Sequence, residues 1–329
     1  MWVFNIAIAT LVVSEVAGVD SLMSSVIGGI PIKLAPVVWL IYALNAIPLL
    51  EWRAKLPYLS TLYLITAIIT PAVLYILVSY TLPTTLFVDI AVYMRDVPHL
   101  IVTMPVIALL YYYLPLSIGA PMLHLRFALL SYVAISICYM LNSARALAYL
   151  PNLFFIAIPA TLAVATNLLT TIYRYWQRAY DKTLLKFFLV SVICYAIGSL
   201  LPVWNNTLGY MGFVGFAIYA CIYYLIPKLY NVYLYSGRLM RLQLNLMLIG
   251  LTITSIASFT ATIIKRTMLD MRWVDGATLM WTWQDIVPAV QIPLIIERTG
   301  QLVYAIGALL FTYNIIRTLL IPRKEGKGG

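Results

Sequence analysis

Apolar runs of about 17 residues or more recur along the whole chain, and this pattern decides the fold class. A helical run of that length is about long enough to cross the roughly 30 Å of bilayer hydrocarbon. Inside lipid every backbone N–H and C=O needs a partner within the protein, and continuous apolar runs meet that demand as α-helices. Spans are expected near 2–18, 34–50, 57–80, 98–114, 126–142, 152–173, 187–203, 208–226, 243–264 and 299–317. With 63% of its 329 residues hydrophobic and 10% charged, the chain has more apolar surface than a soluble core of this size could hide. The expectation is an all-α polytopic membrane protein of about ten transmembrane helices. Residues 1–320 form a single transmembrane domain with an outer loop at 265–298, and 321–329 a short basic tail.

An even number of spans places both termini on one side. That side carries 14 of the 21 lysines and arginines: Arg53, Lys55, Arg126, Arg174, Arg178, Lys182, Lys186, Lys228, Arg238, Arg241, Arg317, Arg323, Lys324 and Lys327. The positive-inside rule makes both termini cytoplasmic. The net charge of +10 is thus spent on short juxtamembrane loops, and no nucleic-acid partner is expected. The first run lacks a basic n-region and a cleavage site, so it is read as a retained span, with a signal anchor as the alternative.

Cys138, Cys194 and Cys221 fall inside spans and are expected as buried small apolar residues, without disulfide or metal. The outer loop gathers Asp270, Asp275, Asp285 and Glu297 with Trp273, Trp281 and Trp283, a composition suited to the lipid–water boundary. The tyrosines at 111–113 and 223–224 are expected to form an aromatic belt at inner helix ends, with quinone contact as the alternative. Glu15 is the most membrane-embedded carboxylate, one helical turn from water. No Walker loop, dinucleotide fingerprint, HExxH, nucleophile elbow or CxxC is present.

A weak internal repeat joins "YYYLPLSIGAPMLHLRFALL" (111–130) to "YYLIPKLYNVYLYSGRLMRLQL" (223–244). In each, a tyrosine-rich helix end is followed by proline, an inner loop, arginine and a new apolar helix.

From about 35 to 320 the chain resembles the catalytic subunit of the haem–copper oxygen reductases, especially the cbb-type oxidases and nitric oxide reductases. The segments that carry the resemblance are "VPHLIVTMPVIALLYYYLPLSIGAPMLHLRF", "DKTLLKFFLVSVICYAIGSLLP", "YMGFVGFAIYACIYYLIPKLYNVYLYSGRL", "LVYAIGALLFTYNIIRTL" and the loop "DGATLMWTWQD". The resemblance implies that the ten spans correspond to helices three to twelve of that fold, whose pseudo-threefold arrangement would account for the repeat.

The family's metal ligands are absent from the matching positions. Its His-x-His pair, which serves two haems, falls on Asn205 and Thr207. Its copper-ligating histidines fall on Arg95, Ser143 and Ala144. Of the two histidines present, His99 lies at the outer end of the expected fourth span and His124 just before the fifth on the inner side, so they cannot share a metal. The resemblance therefore implies a truncated, metal-free relative, with no cofactor in this chain and haem and copper in a partner. Its implied role is an accessory subunit of a respiratory terminal oxidase of the prokaryotic plasma membrane, such as an archaeal quinol oxidase. The catalytic subunit and other membrane subunits are its implied partners, with lipid or quinol contacts.

Gly209, Gly212 and Gly215 allow close helix approach within the bundle or across an interface. Two alternatives stay open: a transporter or channel lined by Glu15, Asp89 or Arg145, and an enzyme whose haem is held by His99. By the resemblance, Arg95, Asp96 and Arg145 cluster where copper would sit, and an arginine–carboxylate pair there would act as a plug. Arg95→Ala is then expected to lower the thermal midpoint of the purified chain, and an unchanged midpoint counts against the plug.

Overall fold

The computed structural model describes residues 59–67, 69, 86–144, 154–178, 181–200, 207–271 and 281–320. Among the described residues all regular structure is helical. We label the helices α1 (residues 59–67), α2 (Leu86–Ile118), α3 (Leu125–Ala144), α4 (Phe154–Arg174), α5 (Lys182–Leu200), α6 (Phe216–Tyr230), α7 (Gly237–Asp270) and α8 (Trp283–Leu320). A π-helical segment, Thr207–Gly215, runs directly into α6. Among the described residues four stretches are long and apolar enough to cross a membrane: Lys182–Leu200, Thr207–Tyr230, Gly237–Asp270 and Gln284–Leu320. Val102–Ile118 and Leu125–Ile137 are shorter apolar helices. The chain is an integral membrane protein, and each expected span from 98 onward contains or overlaps a helix. The spans expected near 2–18 and 34–50 lie outside the described residues.

Two compact units divide the chain. One contains residues 1–108 and 136–153, the other residues 109–135 and 154–329. In the second unit α5 packs on α4, α6 and the π segment, and α7 pairs with α8 along its length. That pairing depends on missing side chains. A Cβ at Gly250 would lie 2.6 Å from the Tyr304 backbone nitrogen and 2.8 Å from the Gly300 carbonyl oxygen. One at Gly300 would lie 2.7 Å from the Thr254 nitrogen, so the two backbones touch where both helices lack a side chain.

Helix starts follow from their caps. Asp181 Oδ1 accepts from the backbone N–H of Thr183 (2.7 Å) and Leu184 (3.4 Å) ahead of α5. Ser236 Oγ accepts from Leu239 N–H (3.3 Å) to cap α7. At α8, Thr282 and Asp285 form a reciprocal box. The Asp285 carboxylate accepts from both Thr282 N–H (3.0 Å) and its hydroxyl (2.6 Å), while Asp285 N–H donates to Thr282 C=O (3.1 Å).

The box corrects one expectation. Residues 283–298, read as outer loop from their prolines and charges, are the first turns of α8, and 265–270 are the last turns of α7. Pro288 and Pro293 lie inside the helix. At 1.5 Å per residue the 34-residue α7 and the 38-residue α8 are about 50 and 57 Å long, well beyond the hydrocarbon thickness.

Gly300→Leu should drive α7 and α8 apart and lower stability by about 1–3 kcal/mol, the usual range for overpacking. Gly237 has nothing within 4 Å of a built Cβ, so Gly237→Ala should leave the midpoint level or slightly raised. Thermal unfolding of both variants in one detergent checks the contrast.

Candidate functional site

The sequence repeat has a counterpart in hydrogen bonds. Near the end of α2, Gly119 N–H (2.8 Å) and Ala120 N–H (3.2 Å) both donate to Pro115 C=O, with Gly119 at φ +68°. At the end of α6, Asn231 N–H and Val232 N–H (3.1 Å) both donate to Pro227 C=O, with Asn231 at φ +53°. Glycine adopts this left-handed cap freely, and asparagine is the next residue to tolerate it.

Each cap is then fastened to a third helix. Leu123 N–H, in the first loop, donates to Thr171 Oγ1 on α4 (3.3 Å), and Thr171 Oγ1 donates to Asn167 C=O (2.8 Å). In the second loop Tyr235 N–H donates to Thr318 Oγ1 on α8 (3.1 Å), and Thr318 Oγ1 donates to Asn314 C=O (2.7 Å). Asn167 Nδ2 faces Tyr111 OH at 3.5 Å, and Asn314 Nδ2 faces Tyr223 OH at 3.3 Å. Tyr111, Pro115, Gly119 and Leu123 precede Tyr223, Pro227, Asn231 and Tyr235 at one constant offset. Two copies of one latch therefore join two helices and their loop to a third.

The second copy is more complete. Tyr223 OH donates to Gln243 Oε1 (2.5 Å), and Gln243 Nε2 reaches Met247 Sδ (3.3 Å). Asn314 Nδ2 also donates to Ser236 C=O (3.1 Å), while its Oδ1 accepts from Ser236 N–H (3.2 Å). Gln243, Asn314 and Thr318 are fully buried. Ser131 takes the place of Gln243 in the first copy and donates to Phe127 C=O (2.8 Å). These contacts correct the belt expectation for Tyr111 and Tyr223, which are buried hydroxyl carriers. Tyr224 is half-buried; its OH donates to Leu116 C=O (3.1 Å), and Lys228 Nζ approaches its ring.

Of the positions the resemblance assigns to haem, Asn205 lies outside the described residues and Thr207 opens the π segment. Thr207 is buried. Beyond it the segment is packed with protein. A Cβ at Gly212 would lie 2.7 Å from Cys194 Sγ, and Gly215 faces the Tyr304 hydroxyl. Phe213 and Tyr195 rings sit 4.7 Å apart. Ser191 Oγ donates to Phe213 C=O (2.7 Å), and Tyr304 OH donates to Met211 C=O (2.7 Å). Gly212 and Gly215 thus make the close approaches expected of them, to a cysteine and a tyrosine.

The donor chemistry at Thr207 does not fit a haem. Haem iron takes imidazole, thiolate, thioether or phenolate, whereas Thr207 offers a neutral hydroxyl. Arg95, Asp96, His99 and Asp89 are in α2, and Ser143 and Ala144 end α3; their side chains lie outside the described ones. Glu15 and Arg145 lie outside the described residues altogether. His124 is exposed, at φ +53°, and its C=O accepts from Ala128 N–H (3.1 Å) at the start of α3. Cys194 and Cys221 are free thiols, and both are buried as expected of small apolar residues. Among the described residues no three His, Cys, Asp or Glu side chains converge as a metal site.

No protein-family model matches the chain. It is similar to the cytochrome c oxidase subunit 1 homolog of Agrobacterium tumefaciens (strain T37), with 22% identity over 248 residues. The match covers 67% of this chain and 46% of the relative, so the chain spans about half that protein's length.

Asn314→Leu should be among the most damaging changes in the second unit. It strands Ser236 N–H and weakens the hold on Tyr223, each at a cost of about 1–3 kcal/mol. Asn167→Leu removes a single long contact and should cost less. Thermal midpoints of the two variants, measured side by side, check the order.

Proposed function

We propose that the chain is a subunit-1-like membrane subunit of a respiratory terminal oxidase, metal-free itself, which packs against a catalytic subunit that carries haem and copper. Its place is the prokaryotic plasma membrane, in a quinol-oxidising complex. The similarity to a cytochrome c oxidase subunit 1 homolog supports the oxidase-like reading. The metal-free part rests on one observation. At the positions where the resemblance calls for histidines, the chain has Arg95, Ser143, Ala144, Asn205 and Thr207. The helix that the resemblance expects to begin with haem ligands corresponds to Thr207–Tyr230, a stretch long and apolar enough to cross a membrane. Its inner contacts are taken by Cys194, Tyr195 and Tyr304. Such a chain offers a large helical face for a partner and no electron carrier of its own.

The test has two arms. Purified alone, the chain should give a flat dithionite-reduced minus oxidised spectrum. Extracted in mild detergent from its native membrane, it should copurify with a haem-bearing subunit at fixed stoichiometry. A haem band in the isolated chain overturns the metal-free reading. Proton or ion flux from the isolated chain in liposomes, with no copurifying haem protein, transfers the assignment to a transporter.

A further inference from the structure

The latch that fastens the second loop to α8 also builds something on its outer side. Ser236 N–H and C=O are both bonded to the Asn314 side chain, and Tyr235 N–H is bonded to Thr318 Oγ1. These bonds hold the Tyr235 ring beside the last turn of α8. There the Arg317 guanidinium lies 5.5 Å from the Tyr235 ring centroid and 5.7 Å from that of Tyr313. The two rings stand edge to face at 6.2 Å, and Arg317 Nε donates to Tyr313 OH at 3.2 Å. Arg317 is exposed and held by two aromatic faces.

After Ser236, the first five residues of α7 include Arg238 and Arg241. Three residues apart, they share one helix face, and both are exposed. Met240, Gln243 and Leu244 face inward. Residues 231–244 and 299–320 contain no aspartate or glutamate, so three arginines stand at one end of the α7–α8 pair with no carboxylate on either segment. Around them the surface is apolar: Leu242, Leu319 and Leu320 are 48, 42 and 70% exposed. Charge above acyl-compatible surface, at the end of two membrane-spanning helices, is the pattern of a lipid headgroup contact.

We propose that Arg238, Arg241 and Arg317, with Tyr235 and Tyr313, bind the phosphate headgroup of an anionic phospholipid in the adjoining leaflet. Arginine is suited to this role because its planar N–H fork matches phosphate oxygens in pairs. Even with both phenols engaged, three of the five N–H donors of Arg317 stay open. Stacking fixes the guanidinium beforehand, which lowers the ordering cost of binding. The basic residues at the start of α5 differ: Lys182 and Lys186 follow directly on Asp181. The proposal is independent of any role in an oxidase.

The experiment is a thermal-shift series on the full chain in neutral detergent, with phosphatidylglycerol, phosphatidylcholine or inorganic phosphate added. Phosphatidylglycerol should raise the midpoint by several degrees, and the other two should not. The triple variant R238Q/R241Q/R317Q should lose most of that rise, whereas K182Q/K186Q should keep it. Arg317→Lys keeps the charge and loses the stacked fork, so it should fold normally and lose part of the rise. It also gives a second readout if the triple variant does not fold. A full rise in Arg317→Lys, or an equal rise with phosphatidylcholine, overturns the proposal. A rise with inorganic phosphate alone reassigns the site to a soluble anion and overturns the lipid.

Discussion

The second unit depends on where its backbone polar groups find partners once a helix has to end. Lipid supplies none, and a loop between two spans exposes N–H groups that the helices no longer satisfy. The protein answers with an asparagine–threonine pair, one helical turn apart, on a neighbouring helix. Thr171 and Thr318 each accept a loop N–H and pass their own hydroxyl proton back to the asparagine carbonyl one turn earlier. The asparagine side chain then reaches a tyrosine on the helix that entered the loop. A helix end, its loop and a third helix are thereby fixed together by groups that would each be costly to bury alone.

The same economy governs the middle of the helices, where glycine replaces hydrogen bonding as the means of approach. Gly250 and Gly300 let α7 and α8 touch backbone to backbone, and Gly212 lets the π segment close on Cys194. A π-helical stretch of nine residues is unusual in length, because such segments are mostly single-turn bulges. Here two of its carbonyls accept from side chains of neighbouring helices, Ser191 on α5 and Tyr304 on α8. Those outside donors help hold the wider geometry. Two neighbouring helices, α5 and α8, are thus tied to the segment that opens with Thr207, a position the resemblance assigns to haem.

Much of this was legible in the residue pattern. Among the described residues apolar runs located every α-helix from 98 onward, and the doubled tyrosine–proline–arginine spacing marked the two segments where the latches sit. What the pattern hid has physical causes. The thirty-odd residues between 265 and 298 combine four acids, two prolines and three tryptophans, a composition that reads as loop. The helical character of 283–298 rests on the Thr282–Asp285 box and on packing against α7, and the second of these is a tertiary effect. Tyr111 and Tyr223 were hidden because tyrosine at a span end suits both a lipid boundary and a buried hydrogen bond. Only the position of Asn167 and Asn314 on another helix separates the two. The polar residues of the latch were visible as Asn, Thr and Gln inside apolar runs, and the common distance of four between Asn and Thr was the available signal.

The two latches are unequal, and the inequality has a chemical source. Gln243 is long enough to take the Tyr223 proton and still reach Met247, and Ser236 N–H fills the remaining oxygen of Asn314. In the first copy Ser131 is too short to span the same gap and turns back to its own helix. Asn167 is left with one long contact from its amide nitrogen. The same backbone pattern occurs twice, but side-chain reach decides how completely each copy is satisfied. The helices α6, α7 and α8 form the better-fastened group for that reason. The arginines of the proposed headgroup site stand on this group, where the loop that carries Tyr235 cannot move without breaking three bonds to α8.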